Sequence, residues 1–273
     1  MSLRHQALAA LITCEPQAKV AATIELQSRF SQVPPFELPE AERIEVISLT
    51  SAQQAHMPGH PALPKLVSAT RVPTRSAFTV DGRAALLHAI CHIEFNAINL
   101  ALDAVWRFAG MPSAFYTDWL RVAHEEALHF TLLRTHLQSM GWDYGDFDAH
   151  DGLWFMCEKT QSDILGRMAL VPRTLEARGL DATPLIQDKL SRAGDARAVE
   201  ILDIILRDEI GHVAVGNHWF HHLCTQRGLD AIDIYPKLIK QYDAPRMRPP
   251  FNEAARKAAG FTDAEMAFLL GDA

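Results

Sequence analysis

Two Glu-x-x-His pairs are the residues of this chain best placed to do chemistry: Glu126 with His129, and Glu209 with His212. Residues three apart on an α-helix project from the same face, one turn above the other. A carboxylate and an imidazole in this arrangement can bind one metal ion together. Each pair lies in a long stretch whose apolar residues recur with helical spacing, so we expect both pairs on the buried faces of helices.

A third carboxylate has the same placement. Glu94 lies in the middle of a stripe of apolar residues that recur at intervals of three and four, which is typical of the buried face of a helix. An ionised carboxylate on such a face is unfavourable unless it is paired or bound to a metal. Several of them would also repel one another, and divalent cations would neutralise them. The pattern therefore predicts a buried metal site.

The third helix offers two candidates for a fourth carboxylate, Glu176 and Glu158. The interval from Glu94 to Glu126 is 32 residues and that from Glu176 to Glu209 is 33, whereas Glu158 precedes Glu209 by 51. Two helix hairpins related by internal symmetry should have similar intervals, which favours Glu176. A glycine and a proline follow Glu176 within eight residues, however, so Glu158 stays the alternative if the helix is kinked.

A simpler explanation competes with the metal site. Glu and His three apart on a helix are often solvated neighbours, and either pair alone would fit that explanation. Both pairs and Glu94 fall in phase with apolar stripes, which favours buried ligands.

Composition narrows the classes of protein. The chain has 273 residues, 48% of them hydrophobic, which is sufficient for a soluble core. A net charge of -7 argues against a dedicated nucleic-acid surface, because phosphate contacts need clustered Lys and Arg. The four cysteines form no C-x-x-C, which excludes a zinc ribbon and a rubredoxin-type iron centre. We expect no membrane span and no signal peptide, and hence a cytoplasmic location.

The organisation predicted from these patterns is all-α in three parts. Residues 1–80 should form N-terminal helices and a Pro-rich strap, with helices at 3–11 and 17–30 and extended chain and turns at 34–73. Residues 81–226 should form a four-helix bundle, and 227–273 a C-terminal helical cap with a helix at 264–270. The long helices are expected at 83–109, 115–140, 153–178 with a kink or restart at Pro172, and 196–224, with a short helix at 184–192.

The order of these residues resembles the ligand set of the ferritin-like di-iron carboxylate superfamily. More closely, the segments around the candidate ligands resemble a bacterial family of uncharacterised ferritin-like proteins, over most of residues 80–260. Glu176-Ala-Arg178 is also similar to the third-helix motif of tRNA-modifying di-iron hydroxylases. The resemblance implies a ferritin-like four-helix bundle with a dinuclear metal site. Its ligands would be Glu94, Glu126, His129, Glu176, Glu209 and His212.

The function that follows is a di-iron carboxylate oxidoreductase, specifically an O2-dependent monooxygenase or hydroxylase. Its cofactor would be two metal ions, with iron favoured over manganese or zinc, and no catalytic residue is expected beyond the ligands. The chain lacks a nucleotide-binding fingerprint, so an external electron donor or reductase is required. The substrate would be a small molecule or a modified nucleoside. The expected oligomeric state is compatible with a homodimer.

Two other functions remain open from the sequence. The first is a peroxide- or oxygen-reducing, or iron-oxidising, protein of the rubrerythrin or ferritin type. The second is a metal-free binding or structural helical bundle.

Overall fold

The structure is a computed structural model that describes residues 2–30 and 37–271. Within these ranges the chain forms helices and irregular segments, with an isolated parallel bridge between Leu66 and Ala149 and no β-strand. The predicted all-α class is therefore confirmed. Part of the predicted strap, residues 31–36, lies outside the described residues.

The α-helices follow one another along the whole described chain. In order they are α1 Leu3–Leu11, α2 Pro16–Phe30, α3 Glu40–Ile44, α4 Ser51–Ala55, α5 Val80–Arg107, α6 Ser113–Ser139, α7 Gly152–Lys159, α8 Ile164–Leu170, α9 Ala177–Arg192, α10 Ala196–Gln226, α11 Ala231–Gln241, α12 Glu253–Ala258 and α13 Asp263–Leu270. A π-helical segment, Val171–Glu176, joins α8 to α9, and a 3₁₀ turn covers Ala69–Arg71.

The chain divides into two compact units, Met1–Trp154 and Phe155–Ala273. In the first unit α5 and α6 pack along each other, α1 covers α5 and α2 covers α6. In the second unit α10 packs against α8, the π-helical segment and α9, and α11 and α12 add to it.

Helices α5 and α6 form the centre of the first unit. The Thr79 side chain caps α5 by accepting a hydrogen bond from the Gly82 N–H, and α6 begins directly after Pro112. Helix α5 is long and apolar enough by composition to cross a membrane, but 78% of its most apolar window is buried within the protein. It has the burial of a core helix in a soluble protein. The cytoplasmic location stays a prediction.

Two buried cations, Arg4 of α1 and Lys19 of α2, attach the strap to the helices of the first unit. The Arg4 guanidinium donates to the Trp106 carbonyl at 2.8 Å and the Glu45 carbonyl at 2.5 Å. The Lys19 ammonium donates to the carbonyls of Pro58, at 2.8 Å, and Gly59, at 3.0 Å. Burial lowers the pKa of Lys19 to about 7.

The strap is less extended than the prolines predict, because two short helices, α3 and α4, lie in it. A capping box between Thr50 and Gln53 explains the start of α4.

The third helix predicted for 153–178 breaks twice: once at Pro172, where a kink or restart was predicted, and once after Lys159, where the prediction is corrected. After α7 the chain turns, and Asp163 caps α8 by accepting from the Leu165 N–H at 3.1 Å. The second break is the π-helical segment at Pro172, which has no N–H to continue the helical ladder. The Thr174 hydroxyl donates instead to the Ala169 carbonyl at 2.7 Å.

The short helix predicted for 184–192 is also corrected, because α9 continues through Pro184. A proline in a helix leaves the carbonyl four residues earlier without its usual donor, here that of Leu180. The Asn252 side-chain amide donates to this carbonyl at 3.2 Å. A residue from the C-terminal tail thus compensates for the proline.

Candidate metal centre

In the first unit, α5 and α6 bring together three of the predicted ligands. Glu94, Glu126 and His129 are 3%, 0% and 1% exposed. The His129 Nδ1 atom lies 3.2 Å from Glu94 Oε2 and 3.3 Å from Glu126 Oε2. One imidazole nitrogen thus faces two carboxylates from two helices, which is a geometry that a cation could occupy.

The electrostatics of this cluster favour a bound cation. Burial raises the pKa of Glu94 well above its usual value, and the charge of Glu126 raises it further, while His129 opposes both effects only in part. Without a positive charge nearby, the protonated form of Glu94 is therefore favoured. A divalent cation would displace that proton and make the ionised carboxylate favourable.

In the second unit, α10 carries Glu209 and His212. They are 8% and 0% exposed, and His212 Nδ1 lies 3.6 Å from Glu209 Oε1. The Glu126–His129 pair has the same orientation, with Nδ1 toward the carboxylate three residues earlier. The two Glu-x-x-His pairs are therefore alike in local geometry as well as in sequence.

Four buried residues form a group that could bind a metal ion: Glu94, Glu126, His129 and Glu209, with one potential ligand atom from each lying within 4.8 Å of the others. Carboxylate oxygens and imidazole nitrogens are ligands that divalent first-row metal ions bind in proteins. This buried cluster could therefore bind a metal ion.

The remaining predicted ligands lie outside this group. His212 is fully buried beside Glu209, and Glu176 is half-buried at the end of the π-helical segment. Glu158, the alternative to Glu176, is exposed near the end of α7. The choice of the third-helix ligand stays a prediction, although exposure disfavours Glu158.

A cluster of three aromatic rings, which we call the apolar wall, is a feature that the sequence reasoning missed. Phe95 follows Glu94, Phe130 follows His129, and the two rings lie 5.4 Å apart. The Tyr144 ring packs on both, at 5.4 Å and 5.0 Å. A phenylalanine follows each of these two ligand candidates directly in the sequence. This repetition is the signal that could have predicted the apolar wall.

His92 joins this wall through Tyr144. Its Nδ1 atom lies 2.9 Å from the Tyr144 hydroxyl, and its Nε2 atom lies 3.2 Å from the His150 carbonyl. Burial lowers the pKa of His92 to about 4, so the ring is neutral near pH 7.

Arg173 is a further residue that the sequence reasoning missed, and its role is to anchor the π-helical segment. It is 2% exposed and donates to Asn217 Oδ1 and Glu265 Oε1, each at 2.6 Å. Its guanidinium also lies over the Phe261 ring at 4.6 Å. These contacts anchor the π-helical segment that ends at Glu176. A charged residue in the apolar stretch 168–175 was the available signal, because such a residue needs a buried partner.

Comparisons with known proteins identify the family. A family model described as "Protein of unknown function (DUF455)" matches residues 12–267. The chain belongs to this family. An uncharacterized protein of Haemophilus influenzae is 48% identical over 272 residues, which are 97% of this chain and 92% of the relative. No solved structure matches the chain. The predicted resemblance to a bacterial family of unknown function is confirmed, and membership of the di-iron superfamily stays a prediction.

Proposed function

We propose that the protein is an oxidoreductase with a dinuclear non-haem iron centre that uses O2 to oxidise a substrate. The observation that carries the proposal is the buried group of Glu94, Glu126, His129 and Glu209. Such a group is costly in a protein core unless cations balance it. The donor set of carboxylates and imidazole suits iron, manganese and zinc. We favour iron because ferrous ions reduce O2, whereas zinc has no redox chemistry.

Each Glu-x-x-His pair would supply a carboxylate and an imidazole to the two ions. Glu94 and Glu176 would supply the further carboxylates. Both histidines would bind through Nδ1, the nitrogen that faces a carboxylate in each pair.

Charge balance supports two ions rather than one. Glu94, Glu126 and Glu209 carry three negative charges when ionised, and one divalent ion leaves one of them uncompensated in a buried site. Two divalent ions with Glu176 as a fourth carboxylate give a neutral centre. This balance is the physical reason to include Glu176 in the ligand set.

When bound, a pair of ferrous ions supplies the electrons and the coordination positions needed to reduce O2. The chain itself contributes binding and exclusion of water. Phe95 and Phe130, each next in sequence to a ligand, pack with Tyr144 in the apolar wall, which would help to exclude water from the helices that carry the ligands. An external reductase would deliver electrons, and the substrate would be a small molecule or a modified nucleoside.

The proposal is tested by metal analysis of protein purified without chelators. We expect about two iron ions per chain, and Glu126→Ala and His212→Ala should each lose most of the metal together with reductant-dependent O2 consumption. Glu125→Ala is the matched control, because Glu125 is a half-buried neighbour that contacts Arg121 at 3.5 Å, and it should retain both.

Three results would contradict the proposal. Near-zero iron, manganese and zinc in the wild-type protein would refute the metal site, and so would full metal retention in both ligand variants. Iron without any O2 consumption under reducing conditions would refute the oxidoreductase while leaving the metal site intact.

A further inference from the structure

Beyond His212, helix α10 carries two more histidines, one turn apart, on its outer face. His218 is exposed and His222, one turn later, is half-buried. Their ring centroids lie 6.5 Å apart, and the ring planes are inclined by 31°. Neither ring makes a hydrogen bond or an ion pair with another residue in 2–30 or 37–271.

From this geometry we infer that His218 and His222 form a solvent-facing site for a divalent transition-metal ion such as Cu²⁺, Ni²⁺ or Zn²⁺. Residues four apart lie on the same face of a helix, so two imidazoles at this spacing can bind one ion. This site is distinct from the buried group, and it does not depend on the proposed oxidoreductase activity.

The ring separation is close to the one that a shared ion requires. With metal–nitrogen bonds of about 2.1 Å, two imidazoles bound at a tetrahedral angle have ring centroids about 5 Å apart. The observed 6.5 Å must therefore shorten by about 1.5 Å. Both rings pack against Trp219, at 4.8 Å for His218 and 5.1 Å for His222. The exposed His218 side chain is the one that can rotate to make this change.

The donor set defines the class of ion. Two neutral imidazoles select late first-row metals in the order Cu²⁺ above Ni²⁺ and Zn²⁺, and they give no affinity for Mg²⁺ or Ca²⁺, which need oxygen ligands. Among the described residues, no third His, Cys, Asp or Glu completes a ligand group with this pair. Water or a ligand from another molecule would fill the remaining positions, so binding should be exchangeable.

The site can be measured by titrating untagged, full-length protein with Ni²⁺ and Cu²⁺ and counting bound ions by equilibrium dialysis. His218→Ala and His222→Ala should each weaken the binding of one Ni²⁺ equivalent at least tenfold. His136→Ala, which removes a partly exposed histidine of α6, should leave the titration unchanged. The inference is overturned if the wild type and both variants bind the same number of ions with the same affinity.

Tryptophan fluorescence gives an independent readout, because the Trp219 ring lies 4.8 Å from that of His218 and 5.1 Å from that of His222. Cu²⁺ at the pair should quench the emission of Trp219, and Trp219→Phe should remove this quenching while retaining the bound ion. Glu126→Ala should leave the quenching intact, which separates the surface site from the buried one. Quenching that persists in His222→Ala would also overturn the inference.

Discussion

At the scale of single residues, the protonation state of Glu94 distinguishes a metal-loaded protein from an empty one. Burial raises its pKa well above 4.5 when no cation is present. A carboxyl whose pKa is higher in the folded than in the unfolded state contributes stability that is fully present at low pH. That stability is lost as the pH rises above the unfolded-state pKa.

Glu94→Gln is therefore expected to have opposite effects on metal binding and on the stability of the metal-free protein. The amide is neutral and similar in shape, so metal-free Glu94→Gln should be more stable than the metal-free wild type near pH 8, on the order of 1–3 kcal/mol. The difference should shrink toward pH 4. Chemical denaturation after chelation measures the stability, and metal analysis should show reduced iron. A metal-free variant that is less stable than the wild type at pH 8 would contradict this account.

At the scale of elements, the π-helical segment depends on close packing against α10. A Cβ atom added at Gly216 would lie 2.5 Å from Pro172 Cβ and 2.6 Å from its Cγ. Real side chains do not approach this closely, and a proline ring cannot rotate away. Glycine at this position thus allows α10 to contact the segment that ends at Glu176.

Gly216→Ala should destabilise the protein by about 1–3 kcal/mol, because the segment or the helix must shift to admit the methyl group. Gly179→Ala is the matched control: Gly179 lies in α9, and an added Cβ meets nothing within 4 Å. This control should be unchanged or more stable by up to about 1 kcal/mol, since alanine favours helix. Thermal unfolding of both variants tests the pair, and equal effects would exclude a steric cause at Gly216.

Sequence patterns predicted some helices more accurately than others. The predicted bounds of α5, α6 and α10 lie within three residues of the observed ones, because long apolar periodicity is a strong local signal. The third helix was predicted less well. Its breaks depend on the Asp163 cap and on the hydrogen bond from Thr174 to the Ala169 carbonyl, which compete with helical pairing.

At the scale of the whole molecule, contacts between residues far apart in sequence hold the second unit together. Arg173 and Glu265 form a buried ion pair at 2.6 Å, and Arg256 pairs with Asp181 at 2.6 Å. Burial alone would raise the pKa of Glu265, but the hydrogen bond to His221 and the charge of Arg173 outweigh it, and the pKa falls to about 2. The C-terminal tail is therefore part of the structure that supports the π-helical segment.

Glu265→Ala should destabilise the protein by about 3 kcal/mol at pH 7, because it leaves the Arg173 charge buried without its carboxylate partner. A carboxyl with a lowered folded-state pKa contributes stability above its unfolded-state value, which is about 4.5, and this contribution is lost as the pH falls toward 2. The gap in stability between wild type and variant should therefore narrow between pH 4.5 and pH 2. Urea unfolding across that range measures it, and a gap independent of pH would argue against the ion pair.

The sequence by itself determined that Glu94 and the two Glu-x-x-His pairs lie on buried helical faces, because helical periodicity depends only on near neighbours. Only the tertiary structure decided which side chains meet. His129 contacts Glu94, 35 residues earlier, and Arg173 contacts Glu265, 92 residues later. Such pairs depend on how helices pack and where they break, and residue spacing along one helix carries no information about either.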